Sequence, residues 1–375
     1  MTRMRIALVG PLPPPYGGMA NQTRQLAKLL ESEGMEVTPV QTNAPYRPRW
    51  AGRLKGIRAL FRLLPYLVRL WRTAGRVDLF HIMANSGWSW HLFAAPAIWI
   101  GRVRGVPVVL NYRGGEAESF FEQSFRWVYP SLRRVAAVAV PSDFLAGVFN
   151  RRDVDVHIVR NIIDLERFAS DDRRSRQQDS PHLLVTRNLE PIYDIGTALR
   201  AFHRVREVWP DARLTVCGSG LEREKLEALA GELGDAQAVT FSGRLDNDRI
   251  AGLYREADVM INPSLADNMP ISVLESLASG VPVVSTDVGG VPFLVTHNQT
   301  ALLVSPGDDR AMAEAIMTVL DKPELAEALV QAGYDMIRDY SWPSVRGQLL
   351  AVYRSVLERP ENSSPGRRDA RRHTG

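Results

Sequence analysis

Short apolar runs rich in β-branched residues alternate with segments of helical periodicity along most of this chain, and this alternation most limits its fold. The run at 5–10 is followed by a helical segment at 19–34, which places Leu26, Leu29 and Leu30 on one face. Strands that alternate with helices favour βαβ units, whose parallel strands are buried on both faces. We therefore predict an α/β fold with parallel sheets.

A polar, charged stretch without periodicity separates two series of these units. The chain has 375 residues, which is long enough for two domains. A stretch of this composition is typical of a linker between domains. We predict a doubly wound domain at 1–165, a linker at 166–180, a second doubly wound domain at 181–340, a further helix at 341–358 and a disordered tail at 359–375.

The composition excludes several classes of protein. Cys217 is the single cysteine, so a disulfide within the chain is impossible and a reducing compartment is favoured. The N-terminus has too short an apolar run for a secretory signal, and the apolar stretch at 91–101 is too short to span a bilayer. These features predict a cytoplasmic protein.

Ligands of open parallel sheets bind beyond the carboxyl ends of the strands, so the residues after each strand are the candidates for a site. Gly17 and Gly18 follow the first strand, where they could let backbone N–H groups approach a phosphate or a sugar. The stretch is not GxGxxG, and the alternative is a rigid Pro-Gly loop. In the second series Arg187 follows a strand, and its guanidinium suits a diphosphate; the alternative is a surface ion pair with Glu190.

The stretch 267–292 carries two acids around the start of a predicted helix. Pro270 suits a helix start, so the helix is expected to begin near Ile271 and to end at 279–280. Asp267 precedes the free N–H groups of the first turn, which could hold phosphate, and Glu275 lies one turn inside, where it could bind two ribose hydroxyls. In the alternative, Asp267 only caps the helix and Glu275 is solvated.

At these residues the sequence resembles the retaining glycosyltransferases of family 4. The resemblance covers roughly residues 4–358, and it is carried by "GPLPPPYGGMANQTRQLAKLLESEGMEV", "VRNIIDLERF", "VTFSGRLDNDRIAGLYREADVMINPS" and "DNMPISVLESLASGVPVVSTDVGGVPFLV". It implies the GT-B fold, in which two Rossmann-like domains face a central cleft. It also implies a sugar nucleotide on the C-terminal domain, an acceptor on the N-terminal domain, and a last helix that crosses back to the first domain.

The resemblance also implies roles for individual residues. Glu275 looks like the family's ribose-binding glutamate, and Asp267 stands where a glutamate faces the donor sugar. Arg187 matches the diphosphate-binding arginine. The implied donor-binding set is Gly17, Gly18, Arg187, Asn188, Gly218, Gly243, Arg244, Asp267, Asn268, Met269, Pro270, Ile271 and Glu275, and the implied catalytic residues are Asp267, Arg113 and Arg187.

The chain departs from the family pattern at several places, among them Ile162, which follows Asn161 where glycine is usual. Asp267 is shorter than the usual glutamate, and Pro270 stands where glycine is common. The lysine that usually follows the arginine is missing, with Tyr193 near its place, and the N-domain histidine is replaced by Arg113. His81, which follows another strand, is kept as a further candidate beside the alternative that it is packed and structural.

The sequence therefore predicts a retaining, metal-independent transferase that moves a sugar from a nucleotide-sugar to a hydroxyl acceptor, with no other cofactor. The DxD spacings at 153–155 and 246–248 resemble turns or helix starts, so no metal site is predicted. The alternatives are a GT-B protein that binds a nucleotide-sugar or glycan without catalysis, and a sugar-nucleotide epimerase. Product analysis separates them.

A basic arm precedes the third strand. Residues 47–76 contain nine Lys or Arg and no acid, and a helix there would carry an apolar stripe with Leu64, Val68 and Trp71. This pattern suits an anionic membrane surface or a lipid-diphosphate acceptor, so we predict a peripheral position on the inner face of the membrane. The alternative is an ordinary helix with a solvated basic face. Nucleic acid is not predicted, because no base-binding motif accompanies the charge.

Overall fold

The fold is seen in a computed structural model that describes residues 3–14, 17–46, 58–169 and 180–358. The chain divides into two compact units. Among the described residues, the first unit contains 3–141, 145–159 and 346–358, and the second contains 142–144 and 160–345. The second unit therefore begins before the predicted linker does.

The first unit is built on a parallel sheet. In order along the chain its strands are β1 (Arg5–Gly10), β2 (Glu36–Gln41), β3 (Leu79–Ala84), β4 (Val108–Tyr112), β5 (Ala137–Val140) and β6 (His157–Ile158). They lie side by side in the order β2-β1-β3-β4-β5-β6, and each neighbouring pair is parallel. Every residue of β3, β4 and β5 is buried, which explains why these strands appear in the sequence as mainly apolar runs, interrupted only by the buried His81 and Asn111.

Helices connect these strands. They are α1 (Gly18–Ser32), α2 (Arg58–Ala74), α3 (Ala95–Val103), α4 (Ala117–Leu132) and α5 (Asp143–Asn150), with a π-helical turn at Trp90–Ala94 before α3. The part of the predicted basic arm that the structure describes forms α2; residues 47–57 lie outside the described residues. Tyr66 and Leu70 of α2 are buried in the unit, whereas Leu64, Val68 and Trp71 are exposed.

The second unit has a parallel sheet of its own. Its strands are β7 (His182–Val185), β8 (Arg213–Cys217), β9 (Val239–Gly243), β10 (Val259–Asn262), β11 (Val283–Thr286) and β12 (Leu302–Val304). They lie in the order β12-β11-β10-β7-β8-β9. Leu183 and Val185 pack into one hydrophobic cluster and Leu184 into another, because successive side chains of a strand point to opposite faces of the sheet.

The helices that follow in the chain are α6 (Leu165–Phe168), α7 (Ile195–Val208), α8 (Arg223–Glu232), α9 (Asn247–Glu256), α10 (Ile271–Ala278), α11 (Asp309–Asp321), α12 (Pro323–Ile337) and α13 (Trp342–Leu357). Short 3₁₀ turns lie at Pro191–Tyr193, Val291–Phe293 and Arg338–Tyr340. None of the helices within the described ranges is long and apolar enough to cross a membrane. The two doubly wound parallel sheets confirm the predicted fold class.

The predicted linker at 166–180 is partly structured. Leu165–Phe168 form α6, the Asp164 carboxylate accepts a hydrogen bond from the N–H of Arg167, and Phe168 is buried in the second unit. The sequence analysis did not predict α6, because Phe168 has no periodic apolar partner in the sequence around it. Residues 170–179 lie outside the described part of the chain. The predicted tail at 359–375 also lies outside it.

The last predicted helix is present as α13, and the boundary between the two units falls within it, after Val345. Its residues from Arg346 onward are part of the first unit. There Tyr353 is fully buried, and its hydroxyl lies 2.7 Å from Nδ1 of His81 on β3. Burial of Val345, Leu349 and Val352 on the same helix shows that α13 is a packed structural element.

Candidate functional site

In the second sheet, the order in which the chain adds strands reverses between β7 and β10. From β7 the strand order continues through β8 to β9, whereas β10 lies on the other side of β7 and leads to β11 and β12. A crevice forms at such a switch point beyond the carboxyl ends of the strands, and ligands bind there. The loop after β7 carries Arg187 and the loop after β10 carries Asp267, so both predicted residues lie at this edge of the sheet.

Arg187 is held by contacts on three sides. Its guanidinium pairs with the carboxylate of Asp267, and its Nη1 lies 3.4 Å from the hydroxyl of Ser272. The guanidinium carbon lies 4.3 Å from the ring centroid of Tyr193, a cation–π contact. Nε of Arg187 is buried without a hydrogen-bond partner among the described residues.

This arrangement rules out the ion pair between Arg187 and Glu190. The carboxylate of Glu190 instead lies 3.5 Å from the side-chain amide of Asn188. The side chains of Arg187 and Asp267 are only 12% and 13% exposed, so their charges interact with little screening by water. A cation and an anion held at the end of the sheet can bind the two ends of a ligand that carries both phosphate and hydroxyl groups.

The helix α10 begins and ends where the sequence predicted. It starts at Ile271, Pro270 is its N-cap residue, and it finishes at Ala278 with Ser279 as its C-cap. No side chain accepts a hydrogen bond at the N-terminal cap, so Asp267 does not cap this helix. The carboxylate of Asp267 is engaged by Arg187 instead. Because α10 follows β10 and its Ser272 contacts Arg187, the N–H groups of its first turn lie at the same edge of the sheet as Arg187.

Glu275 is partly buried, and its carboxylate has a hydrogen-bond partner within the protein. Its Oε2 lies 3.3 Å from the hydroxyl oxygen of Tyr254 on α9, and the carbonyl oxygen of Ser272 lies 3.0 Å from the same hydroxyl. The hydroxyl of Thr186 lies 2.6 Å from the same Tyr254 oxygen. Burial raises the pKa of Glu275 to about 7, and the Tyr254 hydrogen bond and the charges of Arg187 and Arg167 only partly oppose this rise.

Tyr254 belongs to the site, although the sequence analysis did not identify it. Ala251 and Tyr254, three residues apart on α9, are both buried. A buried tyrosine usually needs a partner for its hydroxyl, so the helical spacing was the available signal. The partner could not be inferred, because Glu275 lies 21 residues further along and on another helix.

Glycines allow the loops of the site to pack closely. A Cβ atom on Gly218 would overlap the carbonyl oxygen of Arg187, and a Cβ on Gly290 would overlap that of Asn268. Gly289 has a φ of +53° and would meet the carbonyl oxygen of Asp267, while the N–H of Gly290 donates to that same oxygen at 2.8 Å. These glycines therefore fix the positions of the loops that carry Arg187 and Asp267.

The other predicted donor-binding residues of the second unit are placed as follows. Gly243 ends β9 with a φ of +70°, its carbonyl oxygen accepts from the N–H of Gly218, and the exposed Arg244 follows it. Asn268 is buried. The side chain of Met269 lies in a hydrophobic cluster, so only its backbone can face a ligand.

In the first unit, Arg113 follows β4. Its Nε donates to Oδ1 of Asn111 at 3.1 Å, and its Nη1 donates to Oε1 of Gln22 on α1 at 3.1 Å. Burial lowers the pKa of Arg113 to about 10, so the side chain stays charged at neutral pH. Gly17 and Gly18 stand at the start of α1, one turn before Gln22, and thus lie at the same end of the sheet as Arg113.

His81 is packed. It is fully buried, its Nε2 lies 3.3 Å from Nδ2 of Asn111, and its Nδ1 lies 2.7 Å from the hydroxyl of Tyr353. Burial and the charge of Arg113 lower the pKa of His81 to about 3, so the ring is neutral. His81 is therefore packed and structural, as the alternative from the sequence stated, and both of its ring nitrogens have hydrogen-bond partners.

The DxD spacings do not form a metal cluster. Asp246 accepts a hydrogen bond from the N–H of Arg249 as the N-cap of α9, and Asp248 pairs with Arg167 at 3.0 Å. Across the described residues, no group of three or more His, Cys, Asp or Glu side chains is arranged to hold a metal ion. The positive charge near the switch point comes from Arg187 and the start of α10.

Comparison with known proteins identifies the family. A family model described as Glycosyltransferase Family 4 matches residues 16–167, and a model described as Glycosyl transferases group 1 matches residues 167–336. The chain belongs to glycosyltransferase family 4. This confirms the resemblance predicted from the sequence and makes the chain a member of an enzyme family whose reaction is glycosyl transfer.

Two curated relatives illustrate the range of the family. The chain is 26% identical over 360 residues to a phosphatidyl-myo-inositol mannosyltransferase of Mycobacterium leprae, a match that covers 91% of this chain and 93% of that protein. It is 29% identical over 279 residues to a glycogen synthase of Mycobacterium tuberculosis, which covers 70% of this chain but only 66% of that protein's length.

Solved structures confirm the GT-B fold. Sucrose-phosphate synthase from Thermosynechococcus elongatus has a TM-score of 0.77 at 22% identity and covers 95% of this chain and 99% of its own. The Anabaena protein HepE, solved in complex with UDP-glucose, has a TM-score of 0.73 at 17% identity, with 94% of this chain and 100% of that chain covered.

Proposed function

We propose that this protein transfers a sugar, with retention of configuration, from a nucleotide-sugar donor to a hydroxyl of a glycan or lipid-linked acceptor. The observation that carries the proposal is the Arg187–Asp267 pair at the switch point of the second sheet, directly before α10. Family membership supports the reaction class, and the site geometry supports the assignment of roles.

In this proposal Arg187 binds the diphosphate of the donor. Its guanidinium and the first-turn N–H groups of α10 both favour oxygens that carry negative charge. Stacking on Tyr193 fixes the plane of the guanidinium, which gives this tyrosine a function at the place where the family's lysine is missing. The assignment of Arg113 as a second cation for the phosphate stays a prediction.

Asp267 exchanges partners during the reaction that we propose. In the structure it pairs with Arg187, which holds both side chains in position. When diphosphate oxygens take over Arg187, the carboxylate becomes an acceptor for hydroxyls of the donor sugar. A carboxylate beside the sugar also stabilises the positive charge that develops as the bond from the anomeric carbon to the phosphate oxygen breaks.

Glu275 is proposed to bind the ribose through two hydroxyls. The Tyr254 hydroxyl orients the carboxylate from within the protein, so the oxygens that remain can accept from the nucleoside. The acceptor oxygen then forms its bond to the anomeric carbon, and its proton passes to the departing phosphate. Arg187 and the helix N-terminus carry the developing charge, so we propose that the reaction needs no metal and no further cofactor.

The proposal is tested by a thermal-shift screen with UDP-, GDP-, ADP- and dTDP-sugars, followed by product analysis with glycan and lipid-linked acceptors. HepE was solved with UDP-glucose, so UDP-sugars are the first donors to test. A glycoside product in the presence of EDTA, with the donor's anomeric configuration, is the expected outcome. A bound donor without any product would favour the non-catalytic alternative, and an altered donor sugar without acceptor would favour an epimerase.

We also propose that the protein is cytoplasmic and lies at the inner face of the membrane through the basic arm at 47–76. The described part of this arm supports the proposal, because α2 presents Leu64, Val68 and Trp71 to solvent together with Arg69 and Arg72. Exposed apolar and basic residues on one helix are typical of a helix that lies in a lipid interface.

A further inference from the structure

Three helices of the first unit expose large aromatic residues. Trp71 of α2 is 47% exposed, Trp99 of α3 is 41% exposed and Trp127 of α4 is 65% exposed. Tryptophan is largely buried in most folded domains, and a contiguous exposed apolar patch marks a contact site. We propose that these residues form one tryptophan–arginine surface that binds an anionic lipid bilayer. The proposal deepens the location given above and is independent of the transfer reaction.

The tryptophans belong to one continuous surface. Val68 and Trp71 of α2 and Trp99 of α3 line the same open apolar groove of about 500 Å³. The indole N–H of Trp99 reaches across to α4, where it donates to the Ser131 hydroxyl at 3.2 Å. Trp127 lies one turn before Ser131 on that helix, so the exposed indoles follow one another from α2 to α4.

This surface is not a core face left uncovered by chance. Tyr66 and Leu70, on the other side of α2, already pack into the first unit, and the hydroxyl of Tyr66 donates to the carbonyl oxygen of Phe93 at 2.8 Å. The helix therefore has a second apolar face, with Leu64, Val68 and Trp71, which remains about half exposed. A second apolar face on a packed helix indicates an external partner.

The segments that carry the three exposed tryptophans are basic. The segments 58–76, 95–107 and 126–134 together contain ten arginines and no acidic residue. Arg104 lies over the ring of Trp71 at 4.8 Å, and Arg134 lies over that of Trp99 at 3.9 Å. Arginine stacked on exposed tryptophan combines an apolar ring with a cation, as at the interface between lipid tails and phosphate headgroups.

An anionic bilayer fits this surface better than a second copy of the chain does. A second copy of the chain would place arginines opposite arginines, because a two-fold interface joins identical patches. A bilayer with anionic lipids meets both needs, since acyl chains cover the indoles and headgroup phosphates pair with the guanidinium groups. The surface thus extends beyond the basic arm of the sequence to α3 and α4, which lie outside 47–76.

The test uses the full chain in sedimentation with vesicles of phosphatidylcholine alone or mixed with phosphatidylglycerol. We expect wild-type protein to pellet with the anionic vesicles, less so at high salt. Trp71→Ser with Trp127→Ser should weaken the partition at least tenfold. Arg69→Glu with Arg72→Glu should weaken it on the order of tenfold for each reversed arginine. The matched control is Arg249→Glu with Arg310→Glu, which makes the same change in charge on exposed positions of the second unit and should leave binding intact.

Two outcomes overturn the proposal. One is wild-type protein that stays in the supernatant with anionic vesicles, or surface variants that pellet like wild type. The other is a dimer in solution that the Trp71→Ser, Trp127→Ser variant converts to a monomer without any vesicle binding, which would make the surface a self-interface. Thermal shifts with a donor, measured without vesicles, should be equal in all variants, so a failure here is distinct from a failure of the proposed transferase function.

Discussion

The guanidinium of Arg187 pairs with the carboxylate of Asp267 while its flat face stacks on the ring of Tyr193 at 4.3 Å. Each contact uses a different property of arginine. The fork of N–H donors matches the carboxylate, and the delocalised plane matches the aromatic ring. Lysine could make the first contact only as a point charge, so the presence of Tyr193 makes this position specific for arginine.

Removal of Arg187 should separate the structural and functional parts of this contact. Arg187→Ala leaves the Asp267 carboxylate largely buried without its cation, so we expect the protein to lose about 1–3 kcal/mol of stability. It also removes the proposed diphosphate ligand, so nucleoside diphosphate affinity should fall roughly a hundredfold. Urea unfolding measures the first effect, and calorimetric titration measures the second.

The double variant Arg187→Ala with Asp267→Asn is the control. It removes the unpaired charge, so stability should return toward the wild-type value while nucleotide affinity stays low. A single Arg187→Ala variant with wild-type affinity for the nucleotide would show that Arg187 is a structural residue only, and the diphosphate assignment would then be wrong.

The acidity of Glu275 gives a prediction about pH. Its pKa is about 7 in the folded protein and near 4.5 in an exposed side chain, so between these values the folded state binds more protons than the unfolded state. Stability therefore decreases as pH rises through this window, by at most about 3 kcal/mol. Glu275→Gln removes the titration, so the variant should be more stable than wild type near pH 8 and similar to it near pH 5.

Donor binding should depend on pH in the opposite sense. Ribose hydroxyls that donate to Glu275 favour the ionised carboxylate, so the wild-type affinity should rise between about pH 6 and pH 8. Glu275→Gln should bind the donor more weakly and with a flat profile. Calorimetric titration at several pH values measures both curves, and parallel curves for the two proteins would exclude the ribose role of Glu275.

The close packing of Gly290 against the Asp267 loop can be tested with a methyl group. A Cβ in Gly290→Ala would overlap the carbonyl oxygen of Asn268, so the loop must shift and the hydrogen bond from this N–H to Asp267 is disturbed. We expect a loss of about 1–3 kcal/mol in stability and weaker donor binding. Circular dichroism melting and donor titration measure the two effects.

Gly231→Ala is the matched control for this prediction. Gly231 lies in α8, and a Cβ there would meet no atom within 4 Å. Alanine is the better helix former by up to about 1 kcal/mol, so this variant should be equally or more stable and should bind the donor normally. If both alanine variants behave alike, the packing of the Asp267 loop does not depend on the lack of a side chain at Gly290.

The fold could be predicted because parallel sheets leave a strong signal in sequence. Strands such as β3 and β10 are buried on both faces, so they appear as mainly apolar runs between helices. The bounds of α10 were also predictable, because Pro270 marks its start and Ser279–Gly280 marks its end. Both kinds of signal arise from residues that are close together in the sequence, so they can be recognised without the tertiary structure.

Contacts between distant segments were not predictable from patterns. Tyr254 and Glu275 meet because α9 and α10 lie beside each other, and His81 meets Tyr353 across 272 residues of sequence. No spacing rule connects such residues, since their meeting depends on the packing of whole helices on the sheet. The direction of the Met269 side chain, into the core rather than toward a ligand, depends on the same packing.

The hydrogen bond between His81 and Tyr353 gives the last prediction. The amide oxygen of Asn111 accepts from Arg113, so its nitrogen faces His81 and donates to Nε2. Nδ1 must then carry the ring proton and donate to the oxygen of Tyr353. Tyr353→Phe leaves a buried N–H without an acceptor, and we expect a loss of about 1–3 kcal/mol in urea unfolding.

Replacing both His81 and Tyr353 should lower the stability of the protein less than replacing Tyr353 alone. His81→Leu with Tyr353→Phe removes the donor and the acceptor together, and apolar groups of similar size fill the space, so stability should recover part of the loss. Because the ring is neutral down to a pKa of about 3, none of these differences should change between about pH 5 and pH 8. A double variant that is less stable than Tyr353→Phe would mean that the hydrogen bond from Asn111, and through it the position of Arg113, contributes more to this network than the contact with α13 does.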